Sequence, residues 1–437
     1  MDAKNEKRLS RIREEYELCS LIEAGLALSP GEMTHIHLPP IRNILRMHKR
    51  TMECVETGEP FLASAFSNPP EILTAMGVHW YFVFGQAFAG GLLNQHIDED
   101  LVALDKMPVP GDVCSLIRLG LYYLDAGLLP LPAAYLGLTE PCDGLAGVHE
   151  ALRTHQEWRK APAFAIDPPY WNDDHSIDYV AGELKRMVEF VTSHTGKTLD
   201  INRLREVITE SNEHYRLWQE YNDLRRCKPS PHNYLLPQSC FLMTNFEGAG
   251  RPEHTPWFRD LVADAERRVR ENKPEVPNQR IRVLWFDLQP IYFNLVAPWM
   301  EQEWGVSLVM DMVSYCPYTL IDTSTEDSMF RGLAKRLIMD PPMIRQARGL
   351  ADNFLADINR IVRDYQIDCV IWPGHVGHKD GAASVSLMRE LCRELNVPFL
   401  NIGMDQFDKR YTSPDLIKER ISHFFTATGL GEKKGAS

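Results

Sequence analysis

The chain has no glycine-rich phosphate loop, no paired cysteines and no apolar run approaching the roughly 18 residues that cross a bilayer. The closest approach to a phosphate loop is His194–Thr198, "HTGKT", where position 191 is Val instead of the required glycine. Gly196 there reads as the end of one helix and Asp200 as the cap of the next. ATP, if used at all, is then handled by another protein. Nine cysteines are scattered without a CxxC pair, which excludes a disulfide framework and predicts reduced thiols. Positive charge is also scarce: 47 Lys and Arg stand against 60 Asp and Glu, a net charge of -13. That balance argues against nucleic-acid binding, which rests on clustered cations. The opening "MDAKNEKRLSRIREEYELCSLIEAG" is charged and helical, unlike a secretory leader, so the expectation is a cytoplasmic protein with no membrane contact.

What is present is an alternation of strands and helices. "PFLASAF" (60–66), "HWYFVFG" (79–85) and "LLPLPAAYLGL" (128–138) read as strands. Between the first two, "SNPPEILTAMG" reads as a short helix capped by Ser67 or Asn68 and closed by Gly77. A second set, "IRVLWF" (281–286), "VSLVMDMV" (306–313), "DCVIW" (368–372) and "PFLNIGMD" (398–405), is interleaved with helices over 342–366, 383–396 and 414–427. Such alternation predicts α/β architecture with two parallel sheets. The expected layout is a helical N-terminal region (1–58), a first α/β domain (59–170), a helical linker region (171–279) and a second α/β domain (280–437). Within the linker, 176–196 and 200–226 keep a helical apolar period, and 244–257 reads as a loop.

Three places carry candidate chemistry. Cys114 in "PGDVCSLIRLG" and Cys142 in "LTEPCDGLAGVHE" each precede a helix, where the partial positive charge of the N-terminus lowers a thiol pKa and suits metal binding. Their 28-residue interval matches no metal motif, so buried free thiols are the competing reading. In "DCVIWPGHVGHKDG" a buried strand delivers His375 and His378 to its carboxyl end, the edge where open α/β sheets bind ligands. Glu71, in the first turn of the helix after the first strand, is placed to act as an acid or base. Cys54, Cys369 and Cys392 read as core, Cys316 follows a strand end, and Trp80 and Tyr81 read as wall residues.

Taken in order, "SNPPEILTAMG", "VCSLIRLG", "EPCD", "DINRLREVITESNE" and "VPFLNIGMDQFDKRYTSPDLIKERISHFF" resemble the 2-hydroxyacyl-CoA dehydratases, a family that also holds the benzoyl-CoA reductase subunits. The resemblance spans about Pro60 to Phe425. It implies two Rossmann-like parallel-sheet domains plus helical N-terminal and middle regions around a [4Fe-4S] cluster held by three cysteines. It also implies a sister subunit, a separate ATP-dependent activator and an acyl-CoA substrate. In the family one low-potential electron reaches the thioester carbonyl, leading to loss of the hydroxyl or, in the aromatic relatives, to ring reduction.

Cys114 and Cys142 match the first two family cysteines. The third family position, before a lysine, is occupied here by His378, followed by Lys379. Three outcomes are open: His378 replaces the thiolate, as histidine does in Rieske centres with a raised potential; the cluster keeps two cysteines and another third ligand; or the subunit is a cluster-free scaffold or substrate-binding partner. Retention of both thiols favours histidine ligation. Under it, Cys114, Cys142 and His378 are the cluster ligands, and Glu71, His375 and Lys379 contact substrate or move protons. A two-domain sugar-nucleotide transferase fits the coarse fold but gives Cys114 and Cys142 no task.

Overall fold

The computed structural model describes residues 2–64, 69–83, 85, 96–139, 142–245, 248–290, 292–315, 317, 319–342, 344–348 and 350–431. Ser67, Asn68 and Cys316 lie outside them. Two four-stranded parallel sheets form the frame. The first orders its strands β2 (Trp80–Phe82), β1 (Leu62–Ser64), β3 (Ala134–Leu138), β4 (Ala163–Ile166); the second orders β6 (Val306–Asp311), β5 (Ile281–Trp285), β7 (Cys369–Trp372), β8 (Phe399–Asn401). The two orders are the same, so the two lobes share one topology. In each sheet the chain moves outward on one side of the central pair, then returns to build the other, which creates a switch point between β1 and β3 and between β5 and β7. Strands β3, β5, β6 and β7 are buried along their whole length, as parallel strands covered on both faces must be.

The strand β4 escaped the sequence reading. Its four residues, "AFAI", carry one β-branched side chain and follow a short turn at Trp158–Lys160. Helix ends were more legible. Gly58, Gly77 and Gly196 close their helices in the left-handed conformation, and the Asp200 side chain caps the helix Ile201–Leu224. Pro69 stands at the N-cap of Pro70–Met76. The segment read as a loop over 244–257 instead turns briefly and enters the helix Thr255–Glu271. Thr255 and Pro256 at that start are ordinary first-turn residues, which masked the boundary.

The two lobes share an apolar core. One continuous cluster joins Cys114, Ile117, Leu119 and Tyr135 of the first lobe to Trp285, Ile371, Met404 and Phe407 of the second. The N-terminal helices Ala3–Leu28 and Thr34–Thr57 pack on each other, and Arg11 of the former pairs with buried Asp100. Cys54, Cys369 and Cys392 are core residues, as are Trp80 and Tyr81, and no disulfide joins the described cysteines. No described helix is long and apolar enough to cross a membrane.

Candidate metal centre

Both switch points open toward one place. Cys142 follows β3 and stands at the N-cap of the helix Asp143–Thr154. Asp287 lies two residues beyond β5, and His375 and His378 lie just beyond β7. From the other direction, Cys114 sits at the N-cap of the helix Ser115–Asp125. Cys114 is close enough to His378 to act on it electrostatically, and Cys142 interacts electrostatically with both Cys114 and His378. The three proposed ligands, dispersed over 265 positions of sequence, therefore converge.

Close backbone approach makes the convergence possible. Gly377 has φ +92, and a Cβ there would sit 2.3 Å from the Cys114 nitrogen and 2.8 Å from its Cα. Only glycine allows the loop before His378 to lie against the chain at Cys114. The opposite wall is the C-terminal segment. Asp405 accepts from the hydroxyl of Ser115 and from the backbone N–H groups of Phe407 and Asp408 at 2.9 and 2.8 Å. Tyr292 donates to the Asp405 carbonyl at 3.1 Å, and the Cys114 thiol donates to Gln406 Oε1 at 3.7 Å. The "GMDQFD" motif thus clamps the second lobe onto the helix that begins after Cys114.

The His378 ring is held from behind. Its Nδ1 lies 3.0 and 3.1 Å from the two carboxylate oxygens of Asp287, which is 1% exposed. A carboxylate accepts, so Nδ1 carries the proton. Burial disfavours the charged imidazole, but the Asp287 carboxylate and the Cys114 thiol outweigh it and move the His378 pKa up. Burial likewise resists ionisation of Asp287, and His378 and His375 outweigh it in the other direction. Sequence reading missed Asp287. The signal is an acidic residue after "IRVLWF", informative only once β5 and β7 are known to be neighbours.

His375 is fully enclosed. Its Nε2 donates to the Leu288 carbonyl at 2.6 Å, and its Nδ1 has no hydrogen-bond partner among the described residues. Burial holds its pKa down, against the pull of Asp287, so the ring is neutral and Nδ1 is a bare acceptor. The two histidine rings stand edge to face with centroids 5.3 Å apart.

Two expectations are corrected by the geometry. Helix N-termini were expected to depress the thiol pKa, yet burial pushes Cys142 up to about 11, despite the N–H groups of Leu145 and Gly144 and the nearby His378. Desolvation of a thiolate outweighs the partial charge of one helix end. A metal ion reverses that balance, because a coordinated thiol is deprotonated outright. Glu71 does not stand with the cysteines. It is 1% exposed and accepts from Arg336 Nη1 at 2.6 Å and Ser211 Oγ at 2.7 Å, which makes it half of a buried ion pair between the first lobe and the helix Glu326–Met339. Lys379 begins the helix Lys379–Glu394 four residues earlier than the sequence suggested, and its half-exposed ammonium faces Asp112 at 3.6 Å. It stands at the rim of the site.

Two thiols at helix N-termini and an imidazole anchored through its Nδ1 are donors of the kinds that hold iron–sulfur clusters. Among the described residues no three His, Cys, Asp or Glu side chains are arranged to hold a single metal ion. A separate cleft lined by Lys228, Arg280, Arg282 and Asp368 lies at the amino edge of the second sheet, away from this chemistry.

A family model for the 2-hydroxyglutaryl-CoA dehydratase D-component matches residues 66–426. The chain belongs to that family. It is also similar to the (R)-phenyllactyl-CoA dehydratase alpha subunit of Clostridium sporogenes, with 22% identity over 396 residues that cover 85% of this chain and 90% of that subunit. The span matched by the family model includes the positions of Cys114, Cys142 and His378, and the chain is a subunit of 2-hydroxyacyl-CoA dehydratase type.

Proposed function

We propose that this chain is the iron–sulfur subunit of a radical-type 2-hydroxyacyl-CoA dehydratase, with Cys114, Cys142 and His378 holding a [4Fe-4S] cluster. What supports the reading is the mutual electrostatic influence of these three side chains, two of them beyond β3 and β7 and the third at the start of the helix Ser115–Asp125, with His378 anchored through its Nδ1. When bound, the cluster would supply one low-potential electron to the thioester carbonyl of an acyl-CoA. The chain's own residues have other tasks. The apolar wall of Trp285, Met404 and Phe407 keeps water from the site, which a radical reaction requires. His375, neutral and with a bare Nδ1, can accept a hydrogen bond from the hydroxyl of the substrate or receive a proton. Lys379, at the rim, is suited to an anionic group of the CoA moiety. A separate ATP-hydrolysing activator is consistent with a chain that carries no phosphate-loop motif, and the relative's designation as an alpha subunit supports a sister subunit. Reduced thiols and an oxygen-sensitive cofactor fit an anaerobic cytoplasm.

One observation favours a second reading. The His378–Asp287 pair is self-sufficient as a buried imidazolium–carboxylate contact, which suits a cluster-free scaffold that shapes the substrate cavity of its sister. The test is reconstitution of this chain with its sister subunit, activator, ATP and a 2-hydroxyacyl-CoA under strict exclusion of oxygen. The cluster-bearing reading expects enoyl-CoA formation that Cys114→Ser abolishes. Full turnover with Cys114→Ser and His378→Ala chains favours the scaffold.

A further inference from the structure

The geometry points to Asp287 as the positioning residue that makes His378 a cluster ligand. This deepens the proposed function and rests on it. A neutral imidazole offers a lone pair on one nitrogen only, and which one is set by the hydrogen bond the other makes. Here the carboxylate at the end of β5 holds the Nδ1 proton through contacts of 3.0 and 3.1 Å, so Nε2 is the nitrogen left to bind a metal, which on binding displaces any proton it carries. Asp287 is itself immobilised: it is buried, and its Oδ1 accepts from the backbone N–H of Leu288 at 2.7 Å. The next carbonyl, Leu288, holds His375. One turn of backbone after β5 therefore orients both rings that β7 delivers. Metal-bound histidines characteristically donate their second N–H to a carboxylate, which fixes the ring and raises its basicity. A thiolate at the third position would need no such partner, and a buried carboxylate beside it would repel it.

That last difference supplies the test. Wild type, Asp287→Ala, His378→Cys and the double variant are loaded with iron and sulfide under anaerobic conditions. Iron per chain and the rate of iron loss to a chelator are then measured. Asp287→Ala is expected to lose iron about 10- to 100-fold faster than wild type, the usual cost of removing such a partner. In the His378→Cys background the same substitution is expected to leave iron retention unchanged or improved. A residue that merely supported the fold would weaken both backgrounds alike, and that result would overturn the assignment. Asp287→Asn, which preserves size and hydrogen bonding without charge, guards against a folding failure and is expected to be intermediate. Electron paramagnetic resonance of the wild-type cluster with 15N-labelled histidine should show a histidine nitrogen coupled to iron; a cluster without that coupling overturns the inference while leaving the cluster itself in place. Wild-type protein that takes up no iron overturns both this inference and the function on which it rests.

Discussion

Replacing Gly377 by Ala tests the loop geometry on which the site depends. The new methyl carbon would meet the Cys114 nitrogen at 2.3 Å, its Cα at 2.8 Å and its Cβ at 2.9 Å. Comfortable carbon contacts begin near 3.5 Å, so the two backbones must separate by about 1 Å. Two costs add. A side chain at φ +92 carries about 1–2 kcal/mol of backbone strain, and forcing atoms into packed surroundings costs about 1–3 kcal/mol more. Gly196→Ala is the control. Its φ is +72, and a Cβ there meets nothing within 4 Å, so it isolates the backbone term. Urea unfolding of the iron-free proteins should place Gly377→Ala roughly 2–5 kcal/mol below wild type and Gly196→Ala only about 1–2 kcal/mol below. Iron retention should fall in the first variant alone, since a ligand displaced by about 1 Å is poorly held. If the two variants unfold alike and bind the same iron, the loop before His378 does not rest on Cys114 and the derivation of the site fails.

Arg336→Ala should cost about 3–5 kcal/mol, because it leaves the Glu71 carboxylate buried without its cation, whereas Glu71→Leu combined with Arg336→Met should cost less; urea midpoints decide, and a double variant as weak as Arg336→Ala contradicts a buried pair. Asp340 supplies a pH signature. Burial raises its pKa to about 7 despite Arg336 and the Thr319 contacts, so between about pH 4 and 7 the folded chain holds a proton that the unfolded chain releases. Stability from this group is complete below pH 4 and declines by about 1.4 kcal/mol per unit as pH rises to 7. Asp340→Asn should remove that slope, so its advantage over wild type should widen from pH 4 to 7 and then level off; parallel stability curves would refute the assignment. His375→Ala should slow turnover in the reconstituted dehydratase while leaving iron content unchanged, measured by metal analysis beside product formation, and iron loss would show that the ring supports the cluster instead.

Much of the frame was legible because parallel strands buried on both faces read as short unbroken apolar runs, as in "IRVLW" and "CVIW". Glycines with positive φ marked helix ends for the same local reason. The strand β4 was hidden by its brevity and its alanines. Of the site, Cys114, Cys142 and His378 could be named, but their meeting could not be derived from spacing. Strand order, which sets Asp287 beside the histidine loop, is a tertiary fact with no local trace. Glu71 misled for a related reason: its partner Arg336 lies 265 residues away, and nothing near "PPEIL" shows that the carboxylate is already taken. The start of the helix at Lys379 also mattered, because it converts His378 from a loop residue into the residue that caps the helix.

Metal and sulfide analysis of this chain, purified without exposure to oxygen, tests the central claim most directly. The account predicts about four irons and as many acid-labile sulfides per chain, a paramagnetic signal on reduction, and loss of both with Cys114→Ser or Cys142→Ser. Anaerobic protein that is folded, carries both thiols reduced and contains no iron would contradict it.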